Sequence, residues 1–335
     1  MLQAPVGVGI LGLGMGHDRA RMATRTEGAK LVCVCDILEE KARAVAEELH
    51  CDWCLDYEQM LARDDLDVVG VLTPSGMHAD HGVMAAQAGK HVFTTKPMDL
   101  RVEKCDELIA ACQRAGVLLA VDFDRRYSQD AHQARLIVQS GKLGRILLAD
   151  VRMKWLREQS YYDGGSPPGW RKSLKYEGGS LANQGVHQVD LLYWLLGPVA
   201  SVYGRIGTLT HDIETEDMCN ALLTFQSGAW GVIQTTTCNR PSLGTAIEIS
   251  GENGTLCLSD NRITRYELAQ GPQASLDEFV PEANRPRNIV EDMVSALTRG
   301  TPLACDGYEG RRSTEIVCAV YDSARTGKPV KLNQQ

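Results

Sequence analysis

The chain has 335 residues, of which 44% are apolar and 23% charged, and its formal net charge is −8. This composition is typical of a globular protein with two domains and excludes wholesale disorder and fibrous repeats. Because no segment concentrates Lys and Arg, it also excludes a nucleic-acid or anionic-membrane surface, so small molecules are the expected partners.

Targeting and redox signals predict a cytoplasmic protein. No stretch approaches the roughly 20 apolar residues of a membrane helix, and the glycine-rich N-terminus lacks the basic start of a signal peptide. The 11 cysteines are an odd number, which favours a reducing compartment with thiols in the core. The "CDWC" at 51–54 has metal-like spacing, but no second pair completes a zinc set, so no metal site is predicted.

Residues 1–122 alternate predicted strands and helices. Apolar β-branched runs such as "VGVGILGLG" and "KLVCVCD" are separated by the helical segments 17–27, 38–49, 79–88 and 101–115. This alternation is typical of an α/β fold with a doubly wound parallel sheet. We therefore predict a Rossmann domain over 1–122.

A glycine-rich turn follows the first predicted strand. The literal G-x-G-x-x-G match, at 7–12, lies inside that strand, where no turn meets a phosphate. We place the turn at 12–16, with a helix opening around His17 whose N-terminal amides would hold a pyrophosphate. The residues of the predicted turn that bind cofactor are Gly12, Gly14, Met15 and Gly16.

Asp36 ends the second predicted strand, about 20 residues beyond the turn. An acidic side chain there accepts from the ribose 2′-hydroxyl of NAD and repels the 2′-phosphate of NADP, so NAD is the predicted cofactor and NADP the less favoured one. The alternative is a strand-end or helix-capping role. The strand order adds Thr73, Pro74 and His78 to the cofactor site.

The regular alternation of strands and helices ends after residue 122, and the pattern of residues 123–335 predicts an α+β domain. Two further helices precede long alternating strands, with hairpin turns at Ser227-Gly228 and Asn253-Gly254. Helical patterns return at 285–299 and at 308–326, the latter ending at Gly327. These strands predict a large, mostly antiparallel sheet.

Five stretches resemble one known family. They are "GLGMGH", "TPSGMHADHGVMAAQAGKHVFTTKPM", "SGKLGRI", "GGSLANQGVHQVDLLYWLLG" and "DGYEGRRSTEIVCAVYDSARTGKPV", which together span nearly the whole chain. The chain resembles the sugar and polyol oxidoreductases that include glucose-fructose oxidoreductase and myo-inositol dehydrogenase, the Gfo/Idh/MocA family. The resemblance is specific to the family and not to a substrate.

The resemblance implies a catalytic role for Lys96. Relatives commonly carry Glu-Lys-Pro where this chain has Thr95-Lys96-Pro97, with the lysine at the active site and the Lys-Pro bond often cis, next to the cofactor. Without the resemblance, Lys96 would be interpreted as a solvated loop lysine. The chain departs from the family at Thr95, which removes a carboxylate beside Lys96.

His187 lies in a predicted helix over 180–197. Asn183, His187 and Asp190 fall at i, i+4 and i+7 and would share one face, which alone is the polar stripe of any half-buried helix. Relatives often read D-x-G-x-H here, and the match is 183–187 with Asn183 in place of the acid. The resemblance implies that His187 is the general acid or base, that Lys96 stabilises alkoxide character and that Asn183 orients substrate. Asp190 is either a partner of His187 or a plain polar residue.

The segment 155–179 is predicted to be a long loop before this helix. Its glycines and prolines disfavour regular structure, and it interleaves aromatic with basic side chains. Arg157, Tyr162 and Arg171 are the predicted substrate contacts, for a sugar ring with a carboxylate or diphosphate. The alternative is that these aromatic side chains pack a domain edge or a subunit interface.

Together these patterns predict an NAD-dependent dehydrogenase that oxidises a secondary hydroxyl of a sugar, polyol or sugar derivative, or reduces the matching ketone. The active site is expected between the domains, at the carboxyl ends of the parallel strands. The resemblance also implies a homodimer or homotetramer built on the second domain's sheet. The alternatives are a non-catalytic NAD-binding sensor, motivated by Thr95 and Asn183, and an NAD-dependent lyase or glycosidase with transient oxidation.

Overall fold

The computed structural model describes residues 1–270 and 275–332. The chain forms two compact units: one comprises Met1–Asp124 and Pro286–Arg311, and the other Arg125–Arg285 and the segment from Arg312 onward. This division differs from the predicted continuous domains 1–122 and 123–335, because the chain returns to the first unit.

Two backbone hydrogen bonds show how the returning segment joins the first unit. The amide of Val121 donates to the carbonyl of Cys305, and the amide of Leu2 donates to the carbonyl of Leu297. The helix Ile289–Arg299 also buries eight of its side chains. No local pattern in residues 286–311 indicates which of two cores will accept that apolar face.

The first unit contains a six-stranded parallel sheet flanked by helices. Its strands are β1 (Val6–Leu11), β2 (Ala29–Cys35), β3 (Asp52–Cys54), β4 (Val68–Val71), β5 (His91–Thr95) and β6 (Leu119–Asp122). The helices between them are α1 (Gly16–Arg25), α2 (Glu39–Leu49), α3 (Tyr57–Leu61), α4 (His78–Gln87) and α5 (Val102–Ala115).

The sheet order is β3-β2-β1-β4-β5-β6, with every pairing parallel. All six residues of β1 are buried, as a central parallel strand covered on both faces requires. The predicted doubly wound fold is confirmed. The strand order reverses between β1 and β4, and ligands of such sheets bind at the carboxyl ends of the strands beside that point.

The second unit is built on an eight-stranded sheet. Its strands are β7 (Ile146–Lys154), β8 (Val199–Gly207), β9 (Met218–Phe225), β10 (Trp230–Thr236), β11 (Gly244–Gly251), β12 (Gly254–Ser259), β13 (Arg262–Leu268) and β14 (Val330–Lys331). The remaining α-helices among the described residues are α6 (Gln129–Gln139), α7 (Gln159–Asp163), α8 (Val186–Leu196), α9 (Ile289–Arg299, described above) and α10 (Gly307–Thr326).

The strand order of this second sheet is β13-β12-β11-β7-β10-β9-β8-β14, and only the β7/β10 pairing is parallel. Both predicted hairpins are confirmed, since β9 pairs with β10 and β11 with β12. Side chains alternate between a buried face and an outward face, on which Leu222 and Trp230 are exposed.

Two local predictions need correction. The segment 155–179 is not wholly irregular, because it contains α7 and a single 3₁₀ turn at Trp170–Lys172. The helix predicted over 180–197 is not α-helical throughout, because Ser180–Gly185 is π-helical and α8 follows it directly. In this π turn the amide of Leu181 donates to the buried carboxyl of Glu216.

Across the two described ranges, no helix combines the length and the apolar character needed to cross a bilayer.

Candidate active site

The three glycines of the predicted turn have distinct structural roles. Gly12 has φ of +85°, and a Cβ there would lie 2.7 Å from the carbonyl oxygen of Leu72. At Gly16, the first residue of α1, a Cβ would lie 2.9 Å from Ile10, so helix and strand could not pack as closely. A Cβ at Gly14 would meet no atom within 4 Å. The backbone at Gly14 is therefore open to a ligand at the N-terminus of α1, where a pyrophosphate fits.

Asp36 lies beside this turn at the end of β2. Its carboxylate accepts hydrogen bonds from the amides of Leu13, at 2.8 Å, and Leu38, at 3.0 Å, and lies 3.3 Å from the ammonium of Lys41. The bond to Leu38 is a local turn contact, as the alternative interpretation expected. The bond to Leu13 holds the same carboxylate beside the cofactor turn, where a ribose acceptor is required.

Thr73, Pro74 and His78 follow β4, at the carboxyl end of the sheet. The His78 ring is fully buried, with Nδ1 2.8 Å from the Pro97 carbonyl oxygen and Nε2 2.7 Å from that of Thr73. Burial lowers the pKa of His78 to about 4. The ring therefore bridges the segments after β4 and β5, and this geometry favours a positioning role over the predicted cofactor contact.

Lys96 follows β5 and is almost fully buried, and the Lys96-Pro97 bond is cis. Thr95 pairs in register with Asp122 on β6, whose carboxylate is 2.7 Å from Nε of Arg19. Burial raises the pKa of Asp122, and the positive charges of Arg19 and Lys96 oppose that rise. A carboxylate on the neighbouring strand thus interacts electrostatically with Lys96, although the family's glutamate is replaced by Thr95.

Asn183 and His187 are half-buried and lie at the start of one helical segment of the second unit. Asn183 is in the π-helical turn and His187 in the first turn of α8, so the predicted regular α-helical spacing does not apply. Asn183 and Gln184 donate side-chain hydrogen bonds to the hydroxyl of Tyr161, at 3.4 and 3.0 Å.

The two predicted substrate arginines lie close to the ring of Tyr161. The guanidinium carbon of Arg157 is 5.2 Å from the ring centroid and that of Arg171 is 4.7 Å from it. Arg157 also reaches the side-chain carbonyl of Gln184 at 3.5 Å. Within the described chain, neither arginine has a carboxylate partner at ion-pair distance. Two half-buried cations without an internal counter-ion favour an anionic ligand.

Tyr161 is half-buried, whereas its neighbour Tyr162, the predicted substrate contact, is buried. Tyr162 is buried, its hydroxyl is 2.8 Å from that of Thr237, and its ring packs against those of Tyr161 and His211. These contacts match the packing alternative for Tyr162. Sequence reasoning did not single out Tyr161, since two adjacent tyrosines give no signal of which one faces the core.

One further cluster joins residues far apart in the chain. His211, Asp217 and Cys238 each place one potential metal-ligand atom within 4.8 Å of the others. The carboxylate of Asp217, however, already accepts from the amides of Leu209, Thr210 and His211. Burial raises the pKa of Asp217, but these hydrogen bonds outweigh it and hold the pKa at about 2. The cluster therefore anchors a loop, and His211 Nε2 extends it to the carbonyl of Arg157 at 2.8 Å.

Comparisons with known proteins agree with this geometry. Residues 6–123 match the family model described as "Oxidoreductase family, NAD-binding Rossmann fold", and residues 131–257 match "GFO/IDH/MocA C-terminal domain". The chain is 27% identical over 342 residues to scyllo-inositol 2-dehydrogenase (NAD(+)) of Bacillus subtilis, covering 97% of this chain and 95% of that protein.

Two solved structures of WlbA dehydrogenases are similar over the whole chain, and both are complexes with NADH and UDP-GlcNAcA. The Bordetella pertussis protein is 32% identical, with 100% of both chains covered and a TM-score of 0.92. The Chromobacterium violaceum protein is 30% identical, with 100% of this chain and 98% of that chain covered and a TM-score of 0.91. The chain belongs to the Gfo/Idh/MocA family of oxidoreductases that act on CH–OH groups, and its first unit is an NAD-binding Rossmann domain.

Proposed function

We propose that this protein is an NAD-dependent dehydrogenase that oxidises a secondary hydroxyl of a nucleotide-linked sugar acid, or reduces the matching ketone. The observation that carries the proposal is the pair of guanidinium groups, Arg157 and Arg171, beside Tyr161 with no carboxylate partner in the described chain. A sugar carboxylate and a diphosphate supply the anionic oxygens that such groups bind. The similarity to structures that hold UDP-GlcNAcA supports the same substrate class.

In the proposed reaction, bound NAD⁺ supplies the hydride acceptor. His187 takes the proton that the substrate hydroxyl loses, and the Lys96 ammonium stabilises the negative charge that develops on that oxygen. Asn183 orients the sugar through its amide, which donates but cannot take up a proton. The proton that the hydroxyl loses on oxidation thus ends on His187.

Absorbance of reduced nicotinamide tests the substrate class. Purified protein and NAD⁺ are mixed in turn with UDP-N-acetylglucosaminuronic acid, UDP-N-acetylglucosamine, free glucuronic acid and myo-inositol. We expect turnover with the first compound and a kcat/KM at least tenfold lower with the others, since each lacks the carboxylate or the diphosphate. Equal turnover of myo-inositol would overturn the proposed substrate class.

Single substitutions distinguish residues of the proposed chemical step from residues of substrate binding. We expect His187→Ala and Lys96→Ala each to lower kcat at least a hundredfold. Arg157→Met and Arg171→Met should raise KM for the nucleotide-linked acid about tenfold or more and leave KM for NAD⁺ unchanged. Arg265→Met is the matched control, because Arg265 is an exposed arginine on β13.

If no substrate changes the absorbance of reduced nicotinamide, the result would instead favour the non-catalytic sensor, or the lyase or glycosidase that oxidises its substrate transiently. NADH binding, followed by nicotinamide fluorescence, would then distinguish an intact cofactor site from a misfolded protein. Release of a modified sugar with no net nicotinamide change would indicate transient oxidation.

A further inference from the structure

The segment that carries Asn183 and His187 begins with a π-helical turn. Its first amides have no partner within the helix and must be satisfied from outside it. A π turn also has less favourable hydrogen-bond geometry than an α-helix and recurs at functional sites. The contacts that hold Ser180–Gly185 in this conformation therefore also fix the positions of Asn183 and His187.

Glu216 supplies the external partners of this turn. Its backbone carbonyl accepts from the amide of Ser180 at 2.8 Å, and its Oε1 accepts from the amide of Leu181 at 2.6 Å. The Ser180 hydroxyl donates to Oε1 at 3.4 Å, and the Tyr321 hydroxyl of α10 donates to Oε2 at 3.0 Å. One residue thus satisfies the first two amides of the segment.

The position of the Glu216 carboxyl is fixed sterically as well. The side chain is buried, and a Cβ at Gly179 would lie 1.7 Å from its Oε2. Gly179 has φ of −83°, so the need for glycine there comes from the carboxyl group and not from backbone strain. The groups facing the carboxyl are the donors of the turn, Tyr321 of α10 and the Cys219 thiol of β9.

The next residue, Asp217, connects through His211 to the backbone of Arg157. It accepts from the amide and the ring Nδ1 of His211, at 3.1 and 3.0 Å, and His211 Nε2 contacts the Arg157 carbonyl. Glu216 and Asp217, the two residues directly before β9, thus hold the turn before His187 and, through His211, the segment that carries Arg157.

We infer that Glu216 is a positioning residue of the proposed dehydrogenase: its carboxyl group holds the π-helical turn that places Asn183 and His187 for reaction with the sugar. This inference rests on the proposed function. Glu216 acts through the turn and not on substrate, so its loss should change the reaction of bound substrate more than cofactor binding.

Two substitutions at Glu216 test this role. Glu216→Leu introduces an apolar side chain of similar size and leaves the Leu181 amide and the Tyr321 hydroxyl without their acceptor. Glu216→Gln keeps a carbonyl acceptor for Leu181. We expect Glu216→Leu to lower kcat at least tenfold, with KM for the sugar and NADH affinity within threefold of wild type. Glu216→Gln should restore kcat to within threefold.

A matched control separates positioning from stability. Ser323 is buried on α10, accepts from the Gly204 amide at 2.9 Å and donates to the Lys328 carbonyl at 2.7 Å. Ser323→Ala removes buried hydrogen bonds of the same unit and should lower the unfolding temperature while leaving kcat unchanged. A parallel loss of kcat in Ser323→Ala and Glu216→Leu would show that kcat follows stability alone and overturn the inference.

A spectroscopic readout keeps the test independent of turnover. In protein labelled with ¹³C-histidine, the His187 ring signal, assigned with His187→Gln, should shift in Glu216→Leu and stay near its wild-type position in Glu216→Gln. The exposed His50 serves as internal reference. If no sugar is oxidised but this pattern holds, the proposed function fails and the positioning role stands. If Glu216→Leu does not fold, Tyr321→Phe removes one donor alone, and an unshifted His187 signal there would contradict the inference.

Discussion

Arg126 and Asp190 form a fully buried ion pair with two parallel hydrogen bonds, Nε to Oδ2 at 2.9 Å and Nη2 to Oδ1 at 2.7 Å, and each side chain is 1% exposed. Ser313 on α10 adds a third donor to the same carboxylate at 3.2 Å. The sequence left open whether Asp190 is a partner of His187 or a plain polar helix residue, and these buried hydrogen bonds contradict the second alternative. It ties the helix of His187 to the segment before α6.

Breaking this pair should be strongly destabilising. Asp190→Ala removes the carboxylate that forms two hydrogen bonds with the buried guanidinium of Arg126, and we expect the free energy of unfolding to fall by about 3–5 kcal/mol. The double variant Arg126→Met with Asp190→Leu removes both charges and should recover most of that loss. Urea unfolding measures all three proteins, and a double variant no more stable than Asp190→Ala would contradict the prediction.

Asp36 should determine the choice between NAD and NADP. Asp36→Asn keeps an oxygen acceptor for the Leu13 amide but removes the charge that repels a 2′-phosphate. In wild type, the Lys41 ammonium lies 3.3 Å from the Asp36 carboxylate, and in the variant it is available to pair with that phosphate. We expect the KM for NADP to fall about tenfold and the KM for NAD to rise about as much. Adding Lys41→Met should abolish the gain for NADP, and an unchanged ratio of the two KM values in Asp36→Asn would refute this role.

The large sheet should carry the subunit interface that the resemblance implies. On its outward face Tyr203, Leu222 and Val232 are register neighbours, and Leu222 and Trp230 are 58% and 70% exposed. Such a row of apolar side chains is typical of a protein interface. Leu222→Asp should lower the sedimentation coefficient of the assembly toward that of a monomer. Val280→Asp, at a 74% exposed position outside the strands of this sheet, should not. An assembly that persists in Leu222→Asp would place the interface elsewhere.

The parts of the structure that sequence could predict are those with a local signal. The strand and helix alternation, the turn at Gly12 and both hairpins are set by residues that lie next to one another in the chain. The role of Glu216 has no such signal, because its partners Leu181 and Tyr321 lie 35 and 105 residues away. The same holds for the return of Ile289–Arg299 to the first unit, since an amphipathic helix does not indicate which core it covers.

Glu216 should also make stability depend on pH. Burial raises its pKa to about 7, whereas an unfolded glutamate titrates near 4.5. The folded state thus holds this proton more tightly, so the contribution of Glu216 to the free energy of unfolding is greatest below pH 4.5 and falls, by up to about 3 kcal/mol, as the pH rises to 7. Glu216→Gln lacks this proton, so its stability relative to wild type should increase between about pH 5 and about pH 8. The exposed Glu282→Gln serves as control, and parallel stability curves for Glu216→Gln and wild type would contradict the raised pKa.

His78 should link cofactor binding to the segment that carries Lys96. A neutral ring has one N–H and donates to either the Thr73 or the Pro97 carbonyl, so His78→Ala should loosen both segments and raise the dissociation constant of NADH about tenfold. His78→Gln, which keeps an amide donor, should restore part of that affinity if the role is positioning, whereas a direct cofactor contact predicts equal loss in both variants.

His78 should also make stability depend on pH. Its pKa is lowered to about 4, so wild type loses stability as the pH falls from 6.5 toward 4, because the histidine of the unfolded chain takes up a proton that the folded ring does not bind. Urea unfolding at about pH 7 and about pH 5 should show this loss in wild type and a smaller one in His78→Gln, and an equal acid loss in both would exclude His78 as its source.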